Sequence, residues 1–138
     1  MTPGLIKYYD GYKYQLAEDY SLMVPIDGEK NIDTGWIQLS TYGELTIKQG
    51  YAWDGPSGPT IDTKSGMRAS LVHDALYQLM REEKIGMSKR PLADELFYRI
   101  LLEDGMWKWR AWLWRRGVKK HAAFAALPEN DKKIITAP

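Results

Sequence analysis

Four side chains near the middle of the chain have the types and spacing for acid–base chemistry: His73, Asp74, Tyr77 and Asp94. His73 is one of only two histidines. Histidine is the side chain whose ordinary pKa lets it exchange protons near neutrality. Tyr77 follows at i+4, one helical turn away on the same face. Asp74 is rotated by roughly 100° from His73, so the two can address different objects. Asp94 lies among Leu92, Ala93, Leu96 and Phe97, close to an apolar seam where an unpaired charge is costly. Two short-linked antiparallel helices would bring that carboxylate to His73 and Tyr77. A carboxylate that accepts from one imidazole nitrogen fixes the tautomer and leaves the other nitrogen to take a proton from water. Asp74 faces the segment 54–60, and a carboxylate with backbone carbonyls is hard-oxygen chemistry, suited to Ca²⁺ rather than Zn²⁺. A zinc site fits poorly, because the chain has no cysteine and only His121 as a second histidine. The plainer alternative is that His73 is a satisfied core residue.

The elements that must position these groups are legible in outline. Residues 1–50 read as a β platform, an antiparallel meander. Tyr12 to Val24 is rich in strand formers, Pro25-Ile26-Asp27-Gly28 is a turn, and Trp36–Ser40 and Glu44–Lys48 flank Thr41-Tyr42-Gly43 as a hairpin. Residues 51–64 form a loop in which Gly55 and Gly58 free the backbone while Pro56 and Pro59 stiffen it. It is a shaped connector or a ligand cradle. Ser65 is placed to cap a helix to about Glu83, with Met67, Leu71, Val72, Ala75, Leu76, Leu79 and Met80 on one face. Ser88 is placed to cap a second helix with Pro91 in its first turn and two buried rows, Leu92-Leu96-Ile100 and Ala93-Phe97-Leu101. Asp104-Gly105 ends it. A third helix runs from about Met106 to Ala126, weakened at Gly117, and residues 127–138 are a polar tail. The whole is expected to be one α+β domain over 1–138: an N-terminal antiparallel β meander followed by three helices (65–126), with an antiparallel helix pair carrying His73 and Asp94.

Bulk composition bounds the function classes. A chain of 138 residues with 44% hydrophobic and 27% charged residues is an ordinary globular length and composition. The net charge of +1 excludes a global field for nucleic acid. The absence of cysteine removes disulfides. The start Met1-Thr2-Pro3-Gly4 has neither a basic nor an apolar region of a secretory signal, and no run approaches the ~20 apolar residues of a membrane span.

The ordered set Asp54-Gly55-x-Ser57, His73-Asp74-x-x-Tyr77 and Ala93-Asp94-x-x-Phe97 resembles the phospholipase A2 superfamily, especially its short prokaryotic branch. It resembles more closely a family of small uncharacterised proteins, a domain of unknown function widespread in phages and prophages. There an Asp-Gly loop, a His-Asp-x-Leu-Tyr helix and an Ala-Asp-x-x-Phe helix precede a helix rich in Trp and Arg. The likeness covers roughly residues 50–125. The phospholipase resemblance implies that His73 is the general base, Asp94 its orienting partner and Tyr77 a support for Asp94. It implies Ca²⁺ on Asp74, with backbone oxygens from around Trp53, Gly55 and Gly58 and the Asp54 side chain. This chain departs from that pattern in lacking the disulfides that pin the helices and in carrying prolines in the loop. The histidine-aspartate phosphohydrolases match poorly, since no histidine precedes His73.

Residues 106–121 hold four Trp (Trp107, Trp109, Trp112, Trp114) and six Lys/Arg, among them Arg110, Arg115 and Arg116. One reading is a core helix whose tryptophans cap the seam above a solvated basic face. The others are docking on anionic lipid or on a protein partner; single-stranded nucleic acid fits least. Two functions follow. One is a phage-type, Ca²⁺-dependent, phospholipase A2-like lipid esterase with a lipid or membrane surface as partner. The other is a non-catalytic phage structural (virion or tail) or host-interaction protein whose partner binds the Trp/Arg helix. The expected location is host cytoplasm or virion.

Overall fold

The computed structural model describes residue 6, residues 8–9, residues 14–53 and residues 64–125. Among the described residues, seven short strands precede three helices: β1 (Tyr8–Tyr9), β2 (Tyr14–Leu16), β3 (Tyr20–Met23), β4 (Ile32–Asp33), β5 (Ile37–Leu39), β6 (Glu44–Ile47), β7 (Ala52–Trp53), α1 (Lys64–Arg81), α2 (Arg90–Glu103) and α3 (Lys108–Ala125). The expected α+β order is therefore the observed one. The strands divide between two antiparallel sheets, β1-β2-β7 and β3-β6-β5-β4.

One long ribbon links the sheets. β2 and β3 run opposite β7 and β6, and the register is the same on both sides of the break, with Tyr14 opposite Trp53 and Tyr20 opposite Ile47. At the break Leu16 N–H donates to the Tyr51 carbonyl at 2.8 Å, and Gly50 N–H donates to the Leu16 carbonyl at 2.7 Å. Asp19 fills the gap, accepting from Gln49 N–H at 2.7 Å and from Lys48 Nζ at 2.8 Å. The polar Glu18-Asp19 step thus splits what the sequence predicts as one meander.

Alternation then sorts the side chains. Tyr20, Leu22, Ile37, Leu39, Leu45 and Ile47 are buried, as strand periodicity requires of one covered face. On the other face Ser21 and Thr46 share a hydrogen bond at 2.8 Å. Gly43 turns the β5–β6 hairpin at φ 96°, and a Cβ there would lie 2.6 Å from the Val24 carbonyl oxygen.

Three side-chain bonds seat α1 on this platform. Arg68 Nη1 donates to Tyr20 Oη at 2.8 Å, Trp53 Nε1 to Ser70 Oγ at 3.0 Å, and Tyr51 Oη to Gln78 Oε1 at 3.0 Å. The apolar face predicted for α1 is buried throughout. The helix begins at Lys64, so Ser65 lies inside its first turn rather than at the cap. It ends in a Schellman motif: Glu83 N–H donates to the Met80 carbonyl at 3.0 Å and Lys84 N–H to the Leu79 carbonyl at 2.8 Å. Glu83 occupies the left-handed position, at φ 58°. α2 closes in the same way with Gly105 at φ 95°, Gly105 N–H on Leu102 and Met106 N–H on Leu101.

Before α2, Ser88 lies in a 3-10 turn (Met87–Lys89), and Lys89 holds the cap position without a side-chain cap bond. Pro91 is in the first turn, where its missing N–H costs little. The buried face of α2 is Ala93, Asp94, Leu96, Phe97, Ile100 and Leu101. Leu92, expected in that stripe, is exposed, while its neighbours Ala93 and Asp94 are buried. α3 runs through Gly117 without interruption.

Candidate functional site

α1 and α2 pack antiparallel: Arg68, near the start of α1, meets Glu103 and Asp104 at the end of α2, while Tyr77 meets Asp94 near the start of α2. That register places His73 opposite Asp94. His73 Nε2 lies 2.8 Å from Asp94 Oδ1, and Tyr77 Oη donates to the same oxygen at 2.6 Å. The i, i+4 pair stacks, with the His73 and Tyr77 rings 4.2 Å apart at 29°, and Phe97 covers the imidazole with its ring centroid at 5.1 Å. Tyr77 and Asp94 are buried, and His73 is 5% exposed.

The chemistry of this cluster follows from its donors and acceptors. A carboxylate oxygen accepts and the phenol donates, so Tyr77 is held as the neutral phenol. Burial, then the Asp94 hydrogen bond and the Asp94 charge, push its pKa far above the ordinary tyrosine value. With Asp94 accepting, Nε2 of His73 carries the proton and Nδ1 is the basic nitrogen. The imidazole is oriented, its tautomer set, and its partner carboxylate braced by a second donor.

Asp74 is half-buried on α1 beside His73. Trp53, buried and tied to Ser70, fixes the point at which the chain leaves the platform. Asp54, Gly55 and Gly58, expected with them around Ca²⁺, lie outside the described residues. Among the described residues no group of three or more His, Cys, Asp or Glu gathers in a way that could hold a metal ion.

Sequence reasoning missed a second buried polar cluster. The Arg68 guanidinium, buried, donates through Nε and Nη2 to Asp104 at 2.9–3.3 Å and through Nη2 to Glu103 at 2.8 Å. Burial pulls its pKa down, but the bonds to Asp104, Tyr20 and Glu103 outweigh that and raise it. The signal was available: Arg68 lies four residues before Val72 on the buried stripe, and Glu103-Asp104 is the acidic end of α2.

The aromatic helix divides into two faces. Trp107, Trp109 and Trp112 are 72%, 61% and 48% exposed. Trp114, expected on the same surface, is instead in the core with Ala111 three residues before it, since α3 must bury one stripe against α2. Arg110 stacks on Trp114 at 5.8 Å, Arg116 on Trp112 at 5.5 Å, and Arg115 on Tyr98 at 5.3 Å while pairing with Glu95 at 3.1 Å. No helix among the described residues is long and apolar enough to cross a membrane.

A cavity of about 380 Å³ opens elsewhere, over Ile26, Ile32, Leu39 and Ile85 with Lys84 and Lys89 at its edge. None of His73, Tyr77 and Asp94 lines it.

The family model described as "Protein of unknown function (DUF1353)" matches residues 36–118, from the β5 hairpin through both helices of the His73–Asp94 pair and into α3. No curated protein and no solved structure gives a match.

Proposed function

Because the chain belongs to the DUF1353 family, whose description assigns no activity, we propose a function from the site itself: hydrolysis of lipid esters at His73, in the manner of the phospholipase A2 superfamily. The observation that carries the reading is the convergence of His73 Nε2 and Tyr77 Oη on one oxygen of Asp94. A histidine base needs one nitrogen anchored in this way, which leaves the other as the proton acceptor.

In this reading His73 Nδ1 takes a proton from a water molecule as its oxygen attacks the ester carbonyl carbon. Asp94 stabilises the resulting imidazolium, and Tyr77 keeps Asp94 in place. The proton then passes from Nδ1 to the leaving alkoxide oxygen as the acyl C–O bond breaks, giving a carboxylic acid and an alcohol. Phe97 and the Tyr77 ring exclude bulk water from one side of the imidazole. Ca²⁺ held by Asp74, Asp54 and backbone oxygens of Trp53, Gly55 and Gly58 would supply polarisation of the ester carbonyl and support for the oxyanion. Of those groups Asp74 and Trp53 are among the described residues.

The burial of His73 favours a second reading. A histidine 5% exposed and bonded to a buried carboxylate also serves as a tie between α1 and α2. The protein would then act through its surface, as a phage structural or host-interaction component. Calorimetric titration with Ca²⁺ separates the two when phospholipid hydrolysis is measured alongside. The esterase reading expects binding that Asp74→Asn abolishes, and turnover that EDTA stops. Heat-silent titration together with no turnover would establish the structural tie instead.

A further inference from the structure

The exposed face of α3 has a composition that the chemistry at His73 does not use. Lys108, Trp112 and Arg116 form one i, i+4 row, and Trp109 and Leu113 form the adjacent row. All five are exposed, while Ala111 and Trp114 are buried on the other side. Large aromatics left in water on one helix face, with cations between them, mark a surface built to meet something.

Charge says what. Residues 106–121 hold six of the chain's 19 basic side chains and none of its 18 acidic ones. The remaining 13 basic side chains face all 18 acidic ones, so a net charge of +1 conceals a cationic segment on an acidic body. The target of this face is therefore anionic. The ring geometry then discriminates among anions. Successive nucleotide bases need open, parallel ring faces. Here Arg116 already stands over Trp112 at 5.5 Å, and Trp107 and Trp109 pack edge to face at 60°. A headgroup layer makes no such demand: indoles lie at its boundary with the acyl chains, N–H outward, and lysine and arginine reach the phosphates.

We infer that the Lys108–Trp109–Trp112–Leu113–Arg116 face of α3 is a docking surface for an anionic lipid bilayer, on which the helix lies in the plane of the headgroups. The inference stands on α3 alone and does not require His73 to be catalytic. The test is co-sedimentation of the full chain with vesicles of phosphatidylcholine alone and of equal parts phosphatidylcholine and phosphatidylglycerol, in EDTA so that binding is read without turnover. The protein should pellet with the anionic vesicles and not with the neutral ones, and added salt should release it. Lys108→Gln with Arg116→Gln should weaken binding about thirtyfold, at about 1 kcal/mol per cation near the surface. Trp109→Ala with Trp112→Ala should weaken it at least about tenfold. These positions are exposed, so both variants should melt like the parent. Three results would each overturn the inference: failure to pellet with anionic vesicles, equal pelleting with neutral ones, or undiminished pelleting of either double variant.

Discussion

At the scale of single residues, Asp94 carries the most consequence. It is a buried carboxylate bonded to His73 and Tyr77, both of which come from α1. Tyr77→Phe keeps the ring stack and removes one donor to that carboxylate, which should cost about 1.5–3 kcal/mol in urea unfolding. The same variant changes the alkaline limb. The folded pKa of Tyr77 is raised above the ordinary value of 10.0, so the unfolded chain loses this proton first. The stabilisation is complete below pH 10 and is lost as pH climbs toward the folded value, by up to about 1.4 kcal/mol per pH unit. Denaturation curves collected above pH 10 should therefore show a steeper loss in the parent than in Tyr77→Phe; parallel curves would mean that Tyr77 ionises as freely in the folded state as in the unfolded chain.

The elements show what could be read from the chain and what could not. Periodicity located α1, because Met67, Leu71, Val72, Ala75, Leu76, Leu79 and Met80 repeat at helical spacing and all of them are buried. Gly105 marked the end of α2, because glycine is the residue expected at a left-handed C′ position. The end of α1 was displaced for the converse reason: Glu83 fills the same position of the same motif, and no local signal distinguishes a glutamate held at positive φ by the hydrogen bonds around it. Glu83→Gly should accordingly raise stability, by about 1 kcal/mol, in thermal or chemical unfolding. The Arg68 cluster went unread because an arginine on a helix is ordinarily solvated, and only tertiary packing brings its partners: the antiparallel register brings Glu103 and Asp104, and the seating of α1 on the strands brings Tyr20. Arg68→Leu leaves those two acids without their cation at a half-buried helix end. It should cost about 3–5 kcal/mol, with a smaller loss for Glu103→Gln, since Asp104 retains the guanidinium. The His73–Asp94–Tyr77 contact was legible because all its members are polar groups on the facing seams of one short-linked helix pair, whereas Arg68 also takes a partner from β3.

At the scale of the whole molecule, two features lie on a common span of helices: a braced histidine between α1 and α2, and a cationic, Trp-bearing face on α3 that packs against α2. If the chain hydrolyses lipids at a surface, the two act in series. Trp109→Ala with Trp112→Ala should then lower the rate on anionic vesicles about tenfold and leave the rate on a water-soluble short-chain ester unchanged, because only the first substrate must be reached by docking. Equal losses on both substrates would mean that the aromatic face serves the fold of the site rather than its access to a bilayer.

The central claim is that His73 is a base in use. Its most direct test is fatty-acid release from anionic phospholipid vesicles in the presence of calcium, followed by pH-stat for the parent chain and for His73→Asn of verified fold. The parent should release acid continuously, and His73→Asn should be slower by a factor of about 100 or more. A parent that releases none, or a variant that keeps pace with it, would contradict the claim and leave the cluster as a tie between two helices.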